Sequence, residues 1–398
     1  MRIIRHHLRP PTPVRFPHRP VEPVMVEGNE LQVINYGIHA YRSMIRAIDR
    51  AEESIYFSTF IFKGDRIGRL FKKHLLQKAR QGVKVYVVYD GFANLLLLPF
   101  SFRYFPEPLV LRVYSPLYSF LNFLWPPSYV RYHRKLLIVD GRVAFLGGLN
   151  IGQEYATRWR IAHLRIEGPF AEDVREAYAR MWNKHNRFNK SLKINLQPQS
   201  QASAQTTLPE SSCWQLALRE SFSPFESSSD RPDQIRQSYR QAIREAKDRI
   251  YLTNPYFLPD QATLALLLEA LKRGVRVELV VPEKSNHRIV DLHARNYYKR
   301  LVKAGASVWL YQKTMIHAKT GVIDGKWVTI GSANLDNLSL INCELNLFVR
   351  NNAFASEMEK LFELDKLNCR AADLASLEYP SKLARILEFV THPLLGYL

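Results

Sequence analysis

Cysteine is scarce in this chain, which has three in 398 residues. Cys213, Cys343 and Cys369 are odd in number, and no two of them are spaced as CxxC. A disulfide framework or a structural zinc site needs more cysteines at shorter spacings. The composition therefore indicates a reducing compartment and argues against a structural metal.

Acidic residues are also in the minority. The chain has 37 Asp and Glu against 56 Lys and Arg, which gives a formal net charge of +19 at pH 7. Such an excess indicates a polyanionic partner, either nucleic acid or a phospholipid surface. Each Lys or Arg near anionic lipid contributes roughly 1 kcal/mol of attraction. We therefore expect basic patches of this chain to meet a membrane surface.

Hydrophobic runs long enough to cross a membrane are missing, and no signal peptide is visible. We therefore expect a peripheral protein on the cytoplasmic face of the cell membrane. The apolar loop 115–129 is rich in aromatic residues and contains no Lys or Arg. Nucleic-acid sites interleave aromatics with cations, so this loop favours lipid over nucleic acid. It either dips into the bilayer interface or covers a protein core.

A second apolar pattern lies near the C-terminal end of the sequence. Leu383, Ile386, Leu387 and Val390 share one helical face within the segment SKLARILEFV. A helix of this kind can lie on a membrane interface. The commoner role of such a face is to close a protein core, and this is the alternative.

One phrase occurs twice in the chain. Residues 133–150 read HRKLLIVDGRVAFLGGLN and residues 317–334 read HAKTGVIDGKWVTIGSAN. The shared residues, each 184 positions apart, include His133 and His317, Lys135 and Lys319, Asp140 and Asp324, Gly147 and Gly331, and Asn150 and Asn334.

The spacing within each copy predicts a phosphate-binding site. The apolar residues between the Lys and the Asp of each copy indicate a strand. His and Lys, two positions apart, then point to the same face. Each Asn follows a glycine-containing turn, where the backbone N–H groups at Gly148 and Ser332 are expected to approach an anion. Asn150 and Asn334 are expected to bind the same phosphate.

This set of residues suits displacement at a phosphodiester. Two lysines and two amides can stabilise the negative charge that grows on the equatorial oxygens. One histidine can act as the nucleophile and the other can protonate the leaving alcohol. The halves must then meet around one active site. Asp140 and Asp324 join the candidate catalytic set, but each opens an Asp-Gly turn, so a structural role is at least as well supported.

The paired HxKxxxxD motif resembles that of the phospholipase D superfamily. Phrases at 165–174, 254–260, 283–298 and 332–347 resemble the bacterial cardiolipin synthases within it. The resemblance implies transfer of a phosphatidyl group between phosphatidylglycerol molecules, through a phosphohistidine and without a metal or other cofactor. It also implies that His133 is the nucleophile, that His317 is the acid/base, and that the motif lysines and asparagines bind the phosphate.

The chain departs from this family pattern in one place. Many relatives carry an acid downstream of each motif, where it orients the histidine. Glu344 fills that position in the second half. In the first half the family phrase gives Ile161 and the strict 184-residue offset gives Arg160. We therefore expect His133 to lack an orienting carboxylate, with Glu154 as the nearest substitute in sequence.

Further repeats extend the duplication to whole domains. Segment 47–62 echoes 242–257, and 79–90 echoes 271–282, so both halves alternate helix and strand. This alternation predicts an α/β fold. We expect two pseudo-symmetric α/β/α lobes of the phospholipase D type, each with a mixed β-sheet, with the active site at the lobe interface. The predicted boundaries are a basic, proline-rich arm at 1–25, lobes at 26–190 and 213–398, and a linker at 191–212.

The sequence therefore predicts a phosphatidyltransferase that acts on anionic phospholipid, namely phosphatidylglycerol as substrate and cardiolipin as product. A phospholipase D or a nuclease that uses water as the acceptor is the first alternative, because acceptor choice depends on the shape of the cleft. A lipid-binding protein without activity is the second. The sequence leaves the oligomeric state open.

Overall fold

The computed structural model describes residues 21–94, 105–114, 131–185, 193–195, 213–219, 233–336, 339, 342–379 and 381–391. The apolar loop 115–129, most of the linker 191–212 and most of the arm 1–25 lie outside these residues. The predicted lobe boundaries therefore stay predictions.

The first half of the chain forms an eight-stranded mixed sheet. Its order is β1-β2-β8-β7-β6-β3-β4-β5, in which β3, β4 and β5 are parallel and the other neighbours are antiparallel. The strands are β1 (Val24–Val26), β2 (Asn29–Tyr36), β3 (Ser54–Thr59), β4 (Lys84–Asp90), β5 (Val110–Tyr114), β6 (Leu136–Val139), β7 (Val143–Gly147) and β8 (Arg160–Glu167). The helices are α1 (Gly37–Arg50), α2 (Arg66–Arg80), α3 (Gln153–Thr157) and α4 (Phe170–His185).

The second half repeats this architecture. Its sheet has the order β16-β12-β11-β10-β13-β14-β15-β9, with β10, β11 and β12 parallel. The strands are β9 (Trp214–Arg219), β10 (Arg249–Thr253), β11 (Arg276–Pro282), β12 (Ser307–Tyr311), β13 (Thr320–Ile323), β14 (Trp327–Gly331), β15 (Glu344–Arg350) and β16 (Cys369–Ala371). The helices are α5 (Gln234–Glu245), α6 (Gln261–Lys272), α7 (Arg288–Lys303), α8 (Asn352–Lys366) and α9 (Lys382–Thr391). The predicted α/β fold with two pseudo-symmetric lobes and mixed sheets is confirmed.

The motif strands β6 and β13 lie in the interior of their sheets. All four residues of β6 and all four of β13 are buried, as expected for strands covered on both faces. One hydrophobic cluster contains residues of both sheets, including Leu164 and Ile166 from β8 and Val328 and Leu347 from β14 and β15. The lobes therefore share part of their core.

Short backbone pairings join the lobes beside the motifs. Tyr132 bridges Cys343 in parallel orientation, and Ile316 bridges Arg160 in the same way. The His133 N–H donates to the Cys343 carbonyl at 3.0 Å, and the His317 N–H donates to the Arg160 carbonyl at 2.6 Å. Each motif histidine is thus attached to the other lobe through its own backbone.

Membrane-spanning helices were also sought in the described ranges. None of the helices found there is both long enough and apolar enough to cross a bilayer.

Candidate active site

A histidine from one lobe and a carboxylate from the other form the best-defined contact of the site. His133 Nδ1 lies 2.7 Å from Glu344 Oε1, and the Glu344 side chain is fully buried. The Ser332 hydroxyl donates to Glu344 Oε2 at 2.5 Å, and the Ser339 hydroxyl donates to Glu344 Oε1 at 3.3 Å. The carboxylate is therefore fixed on both oxygens before any substrate arrives.

This contact corrects one expectation. His133 does not lack an orienting carboxylate, because Glu344 reaches it across the lobe interface. Glu154, the expected substitute, instead pairs with Lys63 at 2.7 Å. The error arose from assigning each acid to the histidine of its own half, whereas the cross-lobe pairing of Tyr132 with Cys343 brings β15 beside the first motif.

Among the described residues, the partner of His317 Nδ1 is a carbonyl and not a carboxylate. Its Nδ1 donates to the Gly148 carbonyl at 3.1 Å, and its ring packs against Trp159 with centroids 5.1 Å apart. The sheet register shows why the first lobe supplies no acid to this histidine. Gly147 pairs with His163 and Gly331 pairs with Asn346, so the offset between the halves shortens to 183 and Ile161 becomes the counterpart of Glu344. The buried Ile161 packs in the first-lobe core.

The tautomers of both histidines follow from these partners. A carbonyl oxygen only accepts hydrogen bonds, and so does an ionised carboxylate, so Nδ1 carries the hydrogen in both rings. Burial opposes ionisation of Glu344, but the charges and hydrogen bonds of His133, Lys135 and Ser332 outweigh it and hold the pKa of Glu344 below its usual value. Each Nε2 then carries the lone pair of its ring, and the lone pair of His317 faces Lys319 Nζ at 3.2 Å.

The two motif lysines are buried beside the histidines. Lys135 Nζ donates to the His133 carbonyl at 2.5 Å, and Lys319 Nζ lies 3.2 Å from His317 Nε2 and 3.1 Å from the His317 carbonyl. Burial lowers the pKa of Lys135 to about 7 and, together with the Lys135 charge, lowers the pKa of Lys319 well below its usual value. A bound anion would favour the charged forms of both lysines, so the site suits an anion.

Burial lowers the pKa values of both motif histidines, and neighbouring charges add to or oppose this effect. Burial lowers the pKa of His133 to about 4, against the raising effect of Glu344. Burial, Lys319, Lys135 and His133 lower the pKa of His317 well below its usual value. The contacts of Gly148 with His317 and of Glu344 with His133 cross between the lobes, so the structure brings both motifs into one site.

Gly148 and Ser332 do not present their backbone N–H groups to an anion as predicted. The Gly148 N–H donates to the Ala162 carbonyl at 3.2 Å and the Ser332 N–H donates to the Leu345 carbonyl at 2.9 Å. Gly148 is required for another reason, since a Cβ at that position would lie 2.9 Å from the His317 backbone oxygen. Gly148 contacts His317 through its carbonyl and Ser332 contacts Glu344 through its hydroxyl, and phosphate binding by either residue stays a prediction.

The two motif asparagines have different environments. Asn150 is buried, and its Oδ1 accepts from the Ile61 N–H at 3.2 Å. The Asn334 backbone N–H donates to the Ser339 hydroxyl at 2.9 Å. Their binding to a phosphate stays a prediction.

Asp140 and Asp324 lie at the far end of the motif strands from the histidines. The Asp140 carboxylate accepts from the backbone N–H groups of residues 52–54 at 2.8–2.9 Å. Asp324 accepts from residues 247–249 in the same way at 2.9–3.0 Å. Both residues have a positive φ of 51–52°. These contacts favour the structural role, because each carboxylate holds its turn against the start of the neighbouring strand, β3 or β10, and a catalytic role for either residue stays a prediction.

This placement predicts a loss of stability without a loss of catalysis. Asp140→Ala removes three hydrogen bonds to a carboxylate and should lower the free energy of unfolding by about 2 kcal/mol. Asp324→Ala, the matched change in the other lobe, should do the same. Denaturant unfolding and kcat at a temperature where each variant is folded check the prediction. A kcat reduced more than about tenfold in the folded variant would instead support a catalytic role for these residues.

Several residues that contact the active-site side chains were not predicted from the sequence. Phe60 packs edge-on against the His133 ring with centroids 4.8 Å apart, and Trp159 packs against His317. Ser339 lies within the family phrase 332–347, which is the signal that could have found it. Among the described residues, no group of three or more His, Cys, Asp or Glu side chains is arranged to hold a metal ion.

Comparisons with known proteins agree with this geometry. The family model described as "Cardiolipin synthase, PLD-like domain" matches residues 44–182 and 239–366. Cardiolipin synthase of Clostridium perfringens strain 13 is 32% identical over 362 residues, which cover 88% of this chain and 73% of that protein. Cardiolipin synthase B of Shigella flexneri is 30% identical over 365 residues, which cover 87% and 83%.

A solved structure supports the fold independently. The phosphatidylserine synthase of Haemophilus influenzae Rd KW20 superimposes with a TM-score of 0.68 at 12% identity and covers 94% of this chain and 96% of its own. Two lobes of this architecture with paired His-Lys motifs at their interface define a protein of the phospholipase D type. Within that class, the chain belongs to the cardiolipin synthase family with phospholipase D-like domains.

Proposed function

We propose that this protein is a phosphatidyltransferase that joins two phosphatidylglycerol molecules into cardiolipin and releases glycerol. The observation that supports it most is the meeting of both His-Lys pairs in one buried site, with Glu344 of one lobe on His133 of the other. Relatives that are 30–32% identical over most of the chain carry the name cardiolipin synthase.

In the first step, His133 Nε2 attacks the phosphorus of one phosphatidylglycerol. The new P–N bond forms as the P–O bond to the head-group glycerol breaks, and Nε2–H of His317 protonates the departing oxygen. A pKa of about 4 keeps His133 neutral at pH 7, so its lone pair is available. Glu344 stabilises the positive charge that the ring gains on becoming phosphohistidine.

In the second step, the head-group hydroxyl of another phosphatidylglycerol attacks the same phosphorus. Its proton passes to His317 Nε2, the new P–O bond forms, and the P–N bond to His133 breaks. Cardiolipin leaves and both histidines return to their starting protonation. The exchange needs no further reactant, because the energy of the first phosphodiester bond is kept in the intermediate.

Lys135 and Lys319 hold the phosphate through both steps. The two ammonium groups face growing negative charge on the equatorial oxygens, which is where prearranged cations lower the barrier. The bound anion in turn raises the pKa of both lysines and of His317, because it favours their charged forms. Substrate binding thereby places a proton on the general acid.

The alternative is hydrolysis, in which water replaces the second lipid as the acceptor. Incubation of the purified protein with phosphatidylglycerol vesicles in EDTA, followed by mass spectrometry of the lipids, separates the two reactions. Cardiolipin with released glycerol is the expected result. Phosphatidic acid alone would make the protein a phospholipase D, and no turnover would direct attention to nucleic-acid substrates or to a protein without activity.

The proposal includes a peripheral position at the cytoplasmic face of the membrane, where the protein would meet its anionic lipid substrate. The net charge of +19 supports attraction to such a surface.

The pKa values predict a bell-shaped profile for kcat/KM, which reports groups of the free enzyme. Activity should fall as the pH approaches about 4, because His133 takes up a proton and loses its lone pair. It should also fall above about pH 7, because Lys135 loses its proton and its attraction for phosphate. Initial rates on detergent-dispersed phosphatidylglycerol measure both limbs.

Lys135→Arg is the matched control for the alkaline limb. Arginine keeps its charge at all accessible pH values, so this limb should move to higher pH. An alkaline limb that stays in place in Lys135→Arg would assign it to another group.

A further inference from the structure

The helix α9 carries its large apolar side chains on the outside of the protein. A surface helix ordinarily turns this face towards the core. The alternative that the apolar side chains of this helix close a protein core is therefore wrong. The exposed fractions are 73% for Leu383, 58% for Ile386, 43% for Leu387, 79% for Phe389 and 64% for Val390.

The polar side of α9 faces the body of the second lobe. The Thr391 hydroxyl lies 2.9 Å from His293 Nε2, and His293 is buried in α7. Glu388 Oε1 accepts from Asn296 Nδ2 at 2.9 Å and lies 3.4 Å from His293 Nδ1. Rotating the helix to bury its apolar face would break these contacts and leave polar groups buried without them. The outward orientation is therefore specified by side-chain contacts.

The charges on α9 suit an anionic surface. Lys382 and Arg385 are exposed on the same helix, and its acid, Glu388, is turned inward to Asn296 and His293. The outward surface thus combines an apolar stripe with two cations, in a chain whose net charge is +19. Amphipathic helices with this pattern bind at the boundary between lipid head groups and acyl chains.

We propose that α9 docks the protein on an anionic phospholipid bilayer, with its apolar side chains among the acyl chains and Lys382 and Arg385 at the head groups. The inference builds on the proposed function, since docking brings the enzyme to its lipid substrate. The helix lies outside residues 44–182 and 239–366, which match the family model. Its exposed apolar side chains are not among the active-site residues, so docking can be tested separately from catalysis.

The test is flotation of the full chain with vesicles of equimolar phosphatidylglycerol and phosphatidylcholine. The triple variant Leu383→Ser/Ile386→Ser/Phe389→Ser should bind at least about tenfold more weakly than the unmodified protein, because three large apolar side chains no longer enter the bilayer. The control triple is Met25→Ser/Leu367→Ser/Leu374→Ser, which alters apolar residues that are also exposed, at 64%, 70% and 41%. The binding of this control triple to the vesicles should change less than about twofold, because its three residues lie outside α9.

A charge variant adds a second measurement. Lys382→Glu/Arg385→Glu should weaken binding to the vesicles with phosphatidylglycerol and leave the weaker binding to pure phosphatidylcholine vesicles unchanged. Flotation of the α9 triple equal to that of the control triple would overturn the proposal. Light scattering that shows a dimer which only the α9 triple abolishes would also overturn it and assign the face to a second copy of this chain.

Turnover distinguishes a failure of docking from a failure of the proposed reaction. Flotation needs no chemistry, so docking can be observed in a protein that forms no cardiolipin. On detergent-dispersed, short-chain phosphatidylglycerol the α9 triple should retain the kcat of the unmodified protein. Equal loss of kcat on dispersed and vesicle substrate would overturn docking as the role of the helix.

Discussion

Asparagine in place of His133 is expected to lower the rate of cardiolipin formation by at least about four orders of magnitude. In the proposed mechanism the imidazole supplies the atom that bonds to phosphorus, and an amide has no comparable lone pair. His133 is mostly buried at the lobe interface, so the smaller polar side chain should leave the fold intact. Steady-state rates on phosphatidylglycerol, with vesicle flotation as the control for lipid binding, measure the effect.

The matched change, His317→Asn, should cause a similar loss on the natural substrate but for a different reason. In the proposed mechanism this histidine protonates the leaving oxygen, and a weakly basic leaving group needs no proton. On phosphatidyl-p-nitrophenol, His317→Asn should therefore still release nitrophenolate in a first turnover, while His133→Asn should release none. The reverse pattern would make His317 the nucleophile.

Glu344→Gln is expected to lower kcat by about a hundredfold to ten-thousandfold. The carboxylate keeps the hydrogen on His133 Nδ1 and stabilises the charge of the phosphorylated ring. A glutamine amide can donate to Nδ1 and favour the wrong tautomer, in which Nε2 no longer has its lone pair. Rates on dispersed phosphatidylglycerol measure the loss.

Two controls show whether Glu344 acts through His133. Ser332→Ala removes one hydrogen bond to the carboxylate but keeps its charge, and it should cost no more than about tenfold in kcat. The Glu344 charge raises the pKa of His133, so its removal in Glu344→Gln should move the acid limb of kcat/KM to lower pH. A loss of rate with the acid limb unmoved would contradict the contact as the origin of the effect.

Pseudo-symmetry of the lobes is broken at the two histidines. Glu344 provides His133 with a full negative charge, which suits a ring that becomes positively charged as phosphohistidine. At Nδ1, His317 has the Gly148 carbonyl instead of a carboxylate among the described residues, because Ile161 stands where the first lobe would supply the second acid. A dipole stabilises a protonated ring less than a carboxylate does, so protonated His317 gives up its proton readily. The asymmetry supports a division into nucleophile and acid/base.

The sequence predicted the fold and the pairing of the motifs because both depend on local patterns. Buried four-residue strands and a repeated HxK spacing are visible in the residues themselves. The partner of His133 was not predictable in this way. Glu344 is 211 residues away, and its position depends on the register of β15 and on the cross-lobe bridge at Cys343. The sequence also does not show that the N–H groups of the turn residues Gly148 and Ser332 donate to carbonyls of the neighbouring strand.

Alkaline-quench mass spectrometry of His317→Asn after exposure to phosphatidyl-p-nitrophenol tests the central claim most directly, since phosphohistidine survives base. We expect one phosphatidyl adduct per chain, and peptide mapping should locate it on His133. An adduct on another residue, or nitrophenolate release without any adduct, would contradict a phosphohistidine mechanism with His133 as the nucleophile.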